Sequence, residues 1–289
     1  MIILTDIHGN FDTMKKLLDM TPQEEKDKGV VICGDLIDRG PKSMEIIQWC
    51  MDNKITVVMG NHEKMMIDEA EKVKKFIAKT GLIPTGNAGS LWTVNGGHET
   101  LQSYEVILHD VLDDRGIPTR AFDIDTFDEH VEWLKKLPLY IEFPEVKNED
   151  GRYLVISHSV IGNVWKFRSD TSNLKKGWVK QAVLWSRPNK VTDVPEIYNI
   201  IGHTPQEYGC RIRNNYANID TGCFYTTGGF GLLTALQFPE MVIYECENID
   251  TKVGSDGRSG IRTVEDIENR KKNNKRHNLI WSRSKNDYV

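Results

Sequence analysis

This sequence contains no apolar run approaching the ~20 residues that a membrane-crossing helix requires. Its amino-terminal apolar stretch, Met1 to Leu4, meets Asp6 almost at once and carries no charged leader. That is too short for a signal peptide, so a soluble, cytoplasmic chain with no membrane partner is expected. CxxC pairs are also missing: the five cysteines (Cys33, Cys50, Cys210, Cys223, Cys246) are odd in number and widely spaced. This argues against a disulfide framework and against a thiolate zinc site, and all five are expected to be reduced, most of them as small buried apolar residues. Nor is there an excess of positive charge. A formal net charge of −5 gives no general attraction to nucleic acid or acidic membranes, so any basic site must be local. No internal repeat of fixed period is present. The remaining composition, 39% hydrophobic and 27% charged over 289 residues, suits one globular domain with a sizeable core.

Three times in the first 80 residues a short apolar run ends in a polar, glycine-containing loop that leads into a helical pattern, the βαβαβ rhythm. MIILT ends at DIHGN, after which Phe11, Met14, Leu17 and Leu18 repeat at helical spacing behind Asn10, a candidate N-cap. GVVIC ends at GDLIDRGP, where Pro41 can start the next helix. KITVVM ends at GNHE, and a charged helix follows to about Lys79. All three polar loops fall at carboxyl ends of strands, where open α/β sheets place their ligands.

Residues 81–150 break this rhythm and read as a mainly helical insertion beside the site. Strands return at YLVIS, YNII, YANID, GLLTALQF and MVIYEC, close enough together to suggest an antiparallel or mixed second sheet packed on the first. The expected fold class is α/β, a two-sheet sandwich flanked by helices, with the catalytic domain over 1–246. From 247 to 289 hydrophobicity collapses into a polar, partly basic tail. Its cations Arg270, Lys271, Lys272, Lys275, Arg276, Arg283 and Lys285 surround one aromatic, Trp281. A nucleic-acid-binding tail is the less favoured reading and a solvated charged tail the favoured one.

Hard divalent metals take carboxylate and amide oxygens, imidazole suits transition metals, and a two-metal hydrolase needs a carboxylate shared between ions ~3.5–4 Å apart. The strand-end loops supply that set. Asp6 and His8, one residue apart, project the same way from an extended segment. Asp35 is the first acid after the second strand, Asn61 follows the third, and His158 and His203 each follow a later apolar run. Singly, each has an ordinary structural reading; in one order at strand ends they form a candidate dinuclear centre.

DIHG, GDLIDRG, GNHE, a histidine after a strand and then GHT, in this order, resemble the phosphoprotein phosphatase branch of the calcineurin-like metallophosphoesterases. Within it the sequence is most similar to compact bacterial and bacteriophage enzymes of the lambda phosphatase type, and WTVNGGHETLQSY, WLKKLPLYIE, LWSR and NIDTG extend the resemblance over nearly everything except the tail. The resemblance implies that Asp6 and His8 hold a first metal, Asp35 bridges, and Asn61, His158 and His203 hold the second. It makes Arg39 a phosphate-binding arginine, His62 the acid that protonates the leaving oxygen and Asp38 its partner. Arg187 in LWSR matches a second phosphate-binding arginine on four letters only. Thr5, where glycine is usual, and Ser159, where alanine is commoner, depart from the family pattern without touching a ligand.

The function expected from this resemblance is a metal-dependent phosphomonoesterase, first of all a protein serine/threonine phosphatase. The alternative is a nucleotide or polynucleotide phosphohydrolase, such as a dinucleoside tetraphosphatase or an RNA-end phosphatase. The resemblance suggests two manganese ions, and the mixed oxygen and nitrogen donors also suit iron or zinc. A phosphorylated protein or a small phosphoester would be the substrate, and the sequence is silent on oligomeric state.

Overall fold

A computed structural model describes residues 1–84, 90–112, 115, 118–251 and 257–274. The chain enters a sheet at β1 (Ile2–Leu4), crosses α1 (Phe11–Asp19) and α2 (Gln23–Asp27) to β2 (Val30–Ile32), then α3 (Ser43–Asp52) to β3 (Thr56–Val57), and leaves through α4 (Asn61–Thr80). β1, β2 and β3 pair in parallel. Period-two alternation sorts their side chains into two faces. Ile2, Leu4, Ile32 and Val57 join Met14, Leu17, Ile46 and Ile47 of the helices, whereas Ile3, Val31 and Val58 face the opposite way.

After α4 come a π-helical turn (Thr93–Gly97), α5 (His98–Ser103), a hairpin of β4 (Glu105–Leu112) and β5 (Pro118–Phe122), and α6 (Ile124–Leu134). The 81–150 insertion is therefore part helical and part hairpin, and its last strand, β6 (Tyr140–Lys147), belongs to the second sheet. Partly exposed Val106, Ile107 and Leu108 explain the difference: a consecutive apolar run outside a core gives no alternating signature.

The second sheet has the order β6, β7 (Tyr153–Ser157), β8 (Ile197–Ile201), β10 (Tyr216–Asn218), β9 (Arg211–Ile212). It is mixed, with β7, β8 and β10 parallel and β6 and β9 antiparallel at its edges. Leu154, Ile156, Ile200 and Ala217 meet Ile3, Val31 and Val58 between the sheets, while Val155 and Ile197 pack outward on α7 (Asn173–Trp185). The layers thus run helix, sheet, sheet, helix.

Two segments lie elsewhere than their sequence suggests. β11 (Leu232–Gln237) and β12 (Val242–Glu247) extend the first sheet, with β11 antiparallel to β1. Polar residues after Glu247 add an edge strand, β13 (Gly260–Arg262), and a helix over 264–274 that buries Ile267 between the sheets. An edge strand and a helix with one buried side chain need little hydrophobicity, hence the tail-like composition. Lys275, Arg276, Trp281, Arg283 and Lys285 lie outside the described residues. All five cysteines are buried and free, and no described helix is long and apolar enough to cross a membrane.

Candidate active site

Loops at the carboxyl ends of β1, β2 and β8 turn back sharply. Asp6 (φ 48°), His8 (50°), Asp35 (52°), Asp38 (74°), Arg39 (72°) and His203 (70°) all have left-handed backbone. They are six of the nine non-glycine residues so strained among the described residues. Each costs on the order of 1–3 kcal/mol and persists only where its surroundings over-determine it. Here the first loop lies along the second: Asp6 N–H donates to the Gly34 carbonyl (3.2 Å), His8 N–H to Asp35 (3.0 Å) and Gly9 N–H to Leu36 (2.8 Å). Asn10 does not cap α1 through its side chain; its amide donates to the Ile7 and His8 carbonyls at 2.7 and 2.8 Å and pins the first loop.

Glu63, to which the motif reading gave no task, holds the second loop. Fully buried one turn into α4, its carboxylate accepts from the backbone N–H groups of Asp35 (2.9 Å), Leu36 (2.8 Å) and Gly60 (2.8 Å). Burial first, then the Asp35 charge, pushes Glu63 up to about 7 against those donors. Gly60 is required by close approach, because a Cβ there would sit 2.2 Å from Asp35 Oδ1.

These loops converge on two groups of potential ligand atoms, His8–Asp35–His62 and Asp35–His158–His203, each within 4.8 Å and sharing Asp35. Asp6 Oδ1 lies 4.0 Å from His8 Nε2. His158 Nδ1 donates to the Cys33 carbonyl (2.8 Å), which leaves Nε2 as the lone pair facing Asn61 Oδ1 (2.9 Å), His203 Nδ1 (3.1 Å) and Asp35 Oδ2 (3.3 Å). His8 is held likewise by Nδ1 on the Ile37 carbonyl (2.9 Å), with Nε2 turned inward. Backbone carbonyls fix both tautomers in the orientation a metal-binding imidazole needs. So many acceptors facing one another attract positive charge. Burial opposes the charged form of His158, yet Asp35 and Asp6 raise it to about 10, while burial and then His158 depress His203 to about 3. Burial also opposes the Asp35 charge, which His158 and His62 hold well below the ordinary range. Mixed carboxylate, amide and imidazole donors around one shared carboxylate fit a pair of divalent transition metals.

Beside this cluster His62 donates from Nδ1 to Asp38 Oδ2 (2.6 Å), and its Nε2 lies 3.2 Å from Arg39 Nη2. Burial lowers the proton affinity of His62, but Asp35 and Asp38 outweigh it and leave the ring above its ordinary value. Asp38 is fully buried and takes further bonds from Trp92 Nε1 (3.0 Å) and Thr100 Oγ1 (2.6 Å). Arg39 N–H donates to the Gly96 carbonyl (3.1 Å), its Nη1 meets His8 Nε2 (2.9 Å), and its guanidinium lies over the Phe224 ring at 4.9 Å. Gly96 has φ 104°, and a Cβ there would come 2.7 Å from Arg39. The WTVNGGHET segment therefore forms the back of the site. Trp92 and Thr100 were not foreseen, because their partners are 54 and 62 residues distant in sequence.

Arg187, just beyond α7, donates from Nη2 to the His203 carbonyl (3.3 Å) and lines the cavity with Asp6, His8, Asp35, Arg39 and His62. The cavity measures about 180 Å³, and Phe224, Tyr225, Leu91 and Trp185 add apolar walls. The candidate residues thus meet in one place, with His158 and Asp38 fully buried behind those that line the cavity. Asp220 of NIDTG is an unforeseen member: its Oδ2 is buried without a hydrogen-bond partner, and burial followed by the Asp6 charge raises it well above the carboxylate range.

Residues 1–206 match the sequence model of the calcineurin-like phosphoesterase family. The chain is 28% identical over 265 residues to the asymmetrical bis(5'-nucleosyl)-tetraphosphatase PrpE of Halalkalibacterium halodurans, covering 83% of this chain and 90% of that protein. It is 32% identical to serine/threonine-protein phosphatase 1 of Salmonella typhimurium over 95 residues, 33% of this chain and 38% of that one. A solved structure assigned to a diadenosine tetraphosphatase shares the fold with TM-score 0.51 and 17% identity, over 89% of this chain and 94% of that chain.

Proposed function

The chain belongs to the calcineurin-like phosphoesterase family and is a phosphoric-ester hydrolase, and from that premise we propose that its substrate is a dinucleoside polyphosphate, cleaved within the phosphate chain. The observation that carries this reading is the reach of the likeness. A tetraphosphatase is matched over 83% of the chain, whereas the protein phosphatase is matched over 33%. Aromatic walls at Phe224 and Tyr225 beside Arg39 give a nucleotide something to pack on. The protein-phosphatase reading remains the competing outcome of the test.

In this proposal Asp6, His8 and Asp35 hold one divalent ion and Asp35, Asn61, His158 and His203 the other, with manganese the metal we expect and iron or zinc the alternatives. Bound there, such ions supply Lewis acidity and lower the pKa of water toward neutrality. Arg39 and Arg187 take non-bridging phosphate oxygens, since a planar guanidinium offers paired donors and stays charged. Their value lies in stabilising charge that grows in the transition state. His62 delivers a proton from Nε2 to the leaving oxygen, while Asp38 on Nδ1 keeps the ring oriented and protonated. Attack is in line, without a phospho-enzyme.

Purified protein with manganese should convert diadenosine tetraphosphate to mononucleotides, read by chromatography, faster than it dephosphorylates a phosphothreonine peptide or RNA ending in a 2',3'-cyclic phosphate. Peptide turnover with the dinucleotide left intact would overturn the nucleotide reading in favour of a protein phosphatase.

A further inference from the structure

Next to the catalytic cavity lies a second, larger one of about 700 Å³. The two share Arg187 and Pro205, so the larger adjoins the phosphate site. Its lining is cationic: Arg187 is joined by Arg211, Arg213, Lys271 and Lys272, against only Glu207 and Glu268. The single ion pair among these is Arg213 with Glu268, at the long distance of 4.0 Å. The side chains of Arg211 and Lys272 have no hydrogen-bond or ion-pair partner among the described residues.

This crowding of like charge is fixed by the fold. Arg211 opens the edge strand β9 and Arg213 follows it directly, two residues apart and so on one side of the chain. The lysines stand on the 264–274 helix, which buries Ile267 and is clamped by Arg270 through two bonds, 3.1 and 2.7 Å, to fully buried Glu245. Lys271 Nζ donates to the Cys210 carbonyl. Burial first, with Arg211 and Arg213 adding to it, lowers the proton affinity of Lys271 even though Cys210 and Glu268 oppose the shift. Tyr208, Tyr216 and Phe230 supply aromatic surface in the same cavity. Phe230 continues a ladder of rings from the catalytic side: Phe224 to Tyr225 at 4.8 Å and Tyr225 to Phe230 at 5.2 Å.

We infer that this second cavity is a nucleotide subsite, in which Arg211, Arg213, Lys271 and Lys272 bind phosphates beyond the scissile one and the aromatic residues take the distal nucleoside. The inference rests on the dinucleoside polyphosphate reading for its biological ligand. Guanidinium and ammonium groups meeting a polyphosphate form charge-assisted bonds, and a base stacks on any aromatic face regardless of its identity. A minimal phosphomonoester would fill the small cavity alone and never reach these groups.

The test is the double variant Arg211→Glu with Lys272→Glu, chosen because neither side chain supports the fold. With the manganese-loaded full chain, KM for diadenosine tetraphosphate should rise by about tenfold or more, roughly the factor that one lost charge-assisted contact represents. Turnover of p-nitrophenyl phosphate should stay within about twofold. Calorimetric affinity for the non-hydrolysable ATP analogue adenylyl imidodiphosphate should fall in parallel with the KM effect. Cleavage of diadenosine tetraphosphate with the same KM in both proteins would overturn the subsite and leave the substrate reading standing. If the wild-type chain leaves the dinucleotide intact, the analogue decides: affinity lost in the variant supports a subsite for another nucleotide, and affinity retained overturns it.

Discussion

Trp92→Phe tests whether the insertion positions the proposed acid. The indole Nε1 lies 3.0 Å from both oxygens of Asp38, and both residues are fully buried. Phenylalanine keeps most of the ring volume and deletes the donor. A hydrogen bond to a charged group contributes ~1.5–3 kcal/mol, toward the lower end here because Asp38 keeps Thr100 and His62 as partners. The missing ring atoms leave a small void costing on the order of 1 kcal/mol. The expected loss is therefore about 2–3 kcal/mol, read from the guanidinium midpoint at constant m-value. Asp38, less firmly held, should orient His62 less well. We expect kcat to fall about tenfold, short of the ~10²–10⁴ that general acid catalysis can contribute in full. In a His62→Asn background, Trp92→Phe should leave kcat unchanged while still lowering stability, because the tryptophan acts on catalysis through the histidine. Stability unchanged within about 0.5 kcal/mol together with unchanged kcat in the single variant would refute this chain of support.

Gly96→Ala forces a side chain onto φ 104° and to 2.7 Å from Arg39. Displacement of the guanidinium should lower kcat/KM at least about tenfold, by the weight of a charge-assisted phosphate contact; steady-state kinetics showing no change would place Arg39 outside substrate binding. Arg270→Ala should destabilise the whole domain by about 2–4 kcal/mol, because Glu245 is fully buried and would keep only Arg262, 3.8 Å away. A denaturation curve superposable on wild type would instead make the 264–274 helix an independent appendage. His130, held by Tyr104 and Gln48, is depressed by burial from 6.5 to about 4. The unfolded chain therefore binds the extra proton between those values. Its contribution is complete above pH 6.5 and falls as pH drops toward 4, by up to about 3 kcal/mol at 1.36 kcal/mol per pH unit. An NMR titration of the ring placing its pKa near 6.5 would contradict this.

The layered fold was legible where local signals agree. Apolar runs ending in DIHG, GDLIDRG and GNHE put Asp6, Asp35 and Asn61 at strand ends, since each run is both long enough for a strand and followed at once by helical spacing. Pairing between distant segments was not legible. β11 joins β1 with Leu236 opposite Ile3, a registry across more than 230 residues that no local pattern encodes. The same holds for the support of the site. Trp92, Thr100 and Gly96 reach Asp38 and Arg39 from an insertion whose sequence reads as mainly helical. Glu63 carried a readable signal, an acid at the third helical position after Gly60, the position from which a side chain returns to the helix start. Its bonds to Asp35 and Leu36 lie beyond that signal. The cationic cavity was hidden because Lys271 and Lys272 sit within a charge-rich segment that resembles a solvated tail.

The account turns on one carboxylate serving two ions. Metal content per chain, measured by mass spectrometry after loading with manganese, should be two for the wild type and at most one for Asp35→Asn, whose circular dichroism should be native and whose turnover of diadenosine tetraphosphate should be lost. Two ions retained with full turnover in Asp35→Asn would contradict the account.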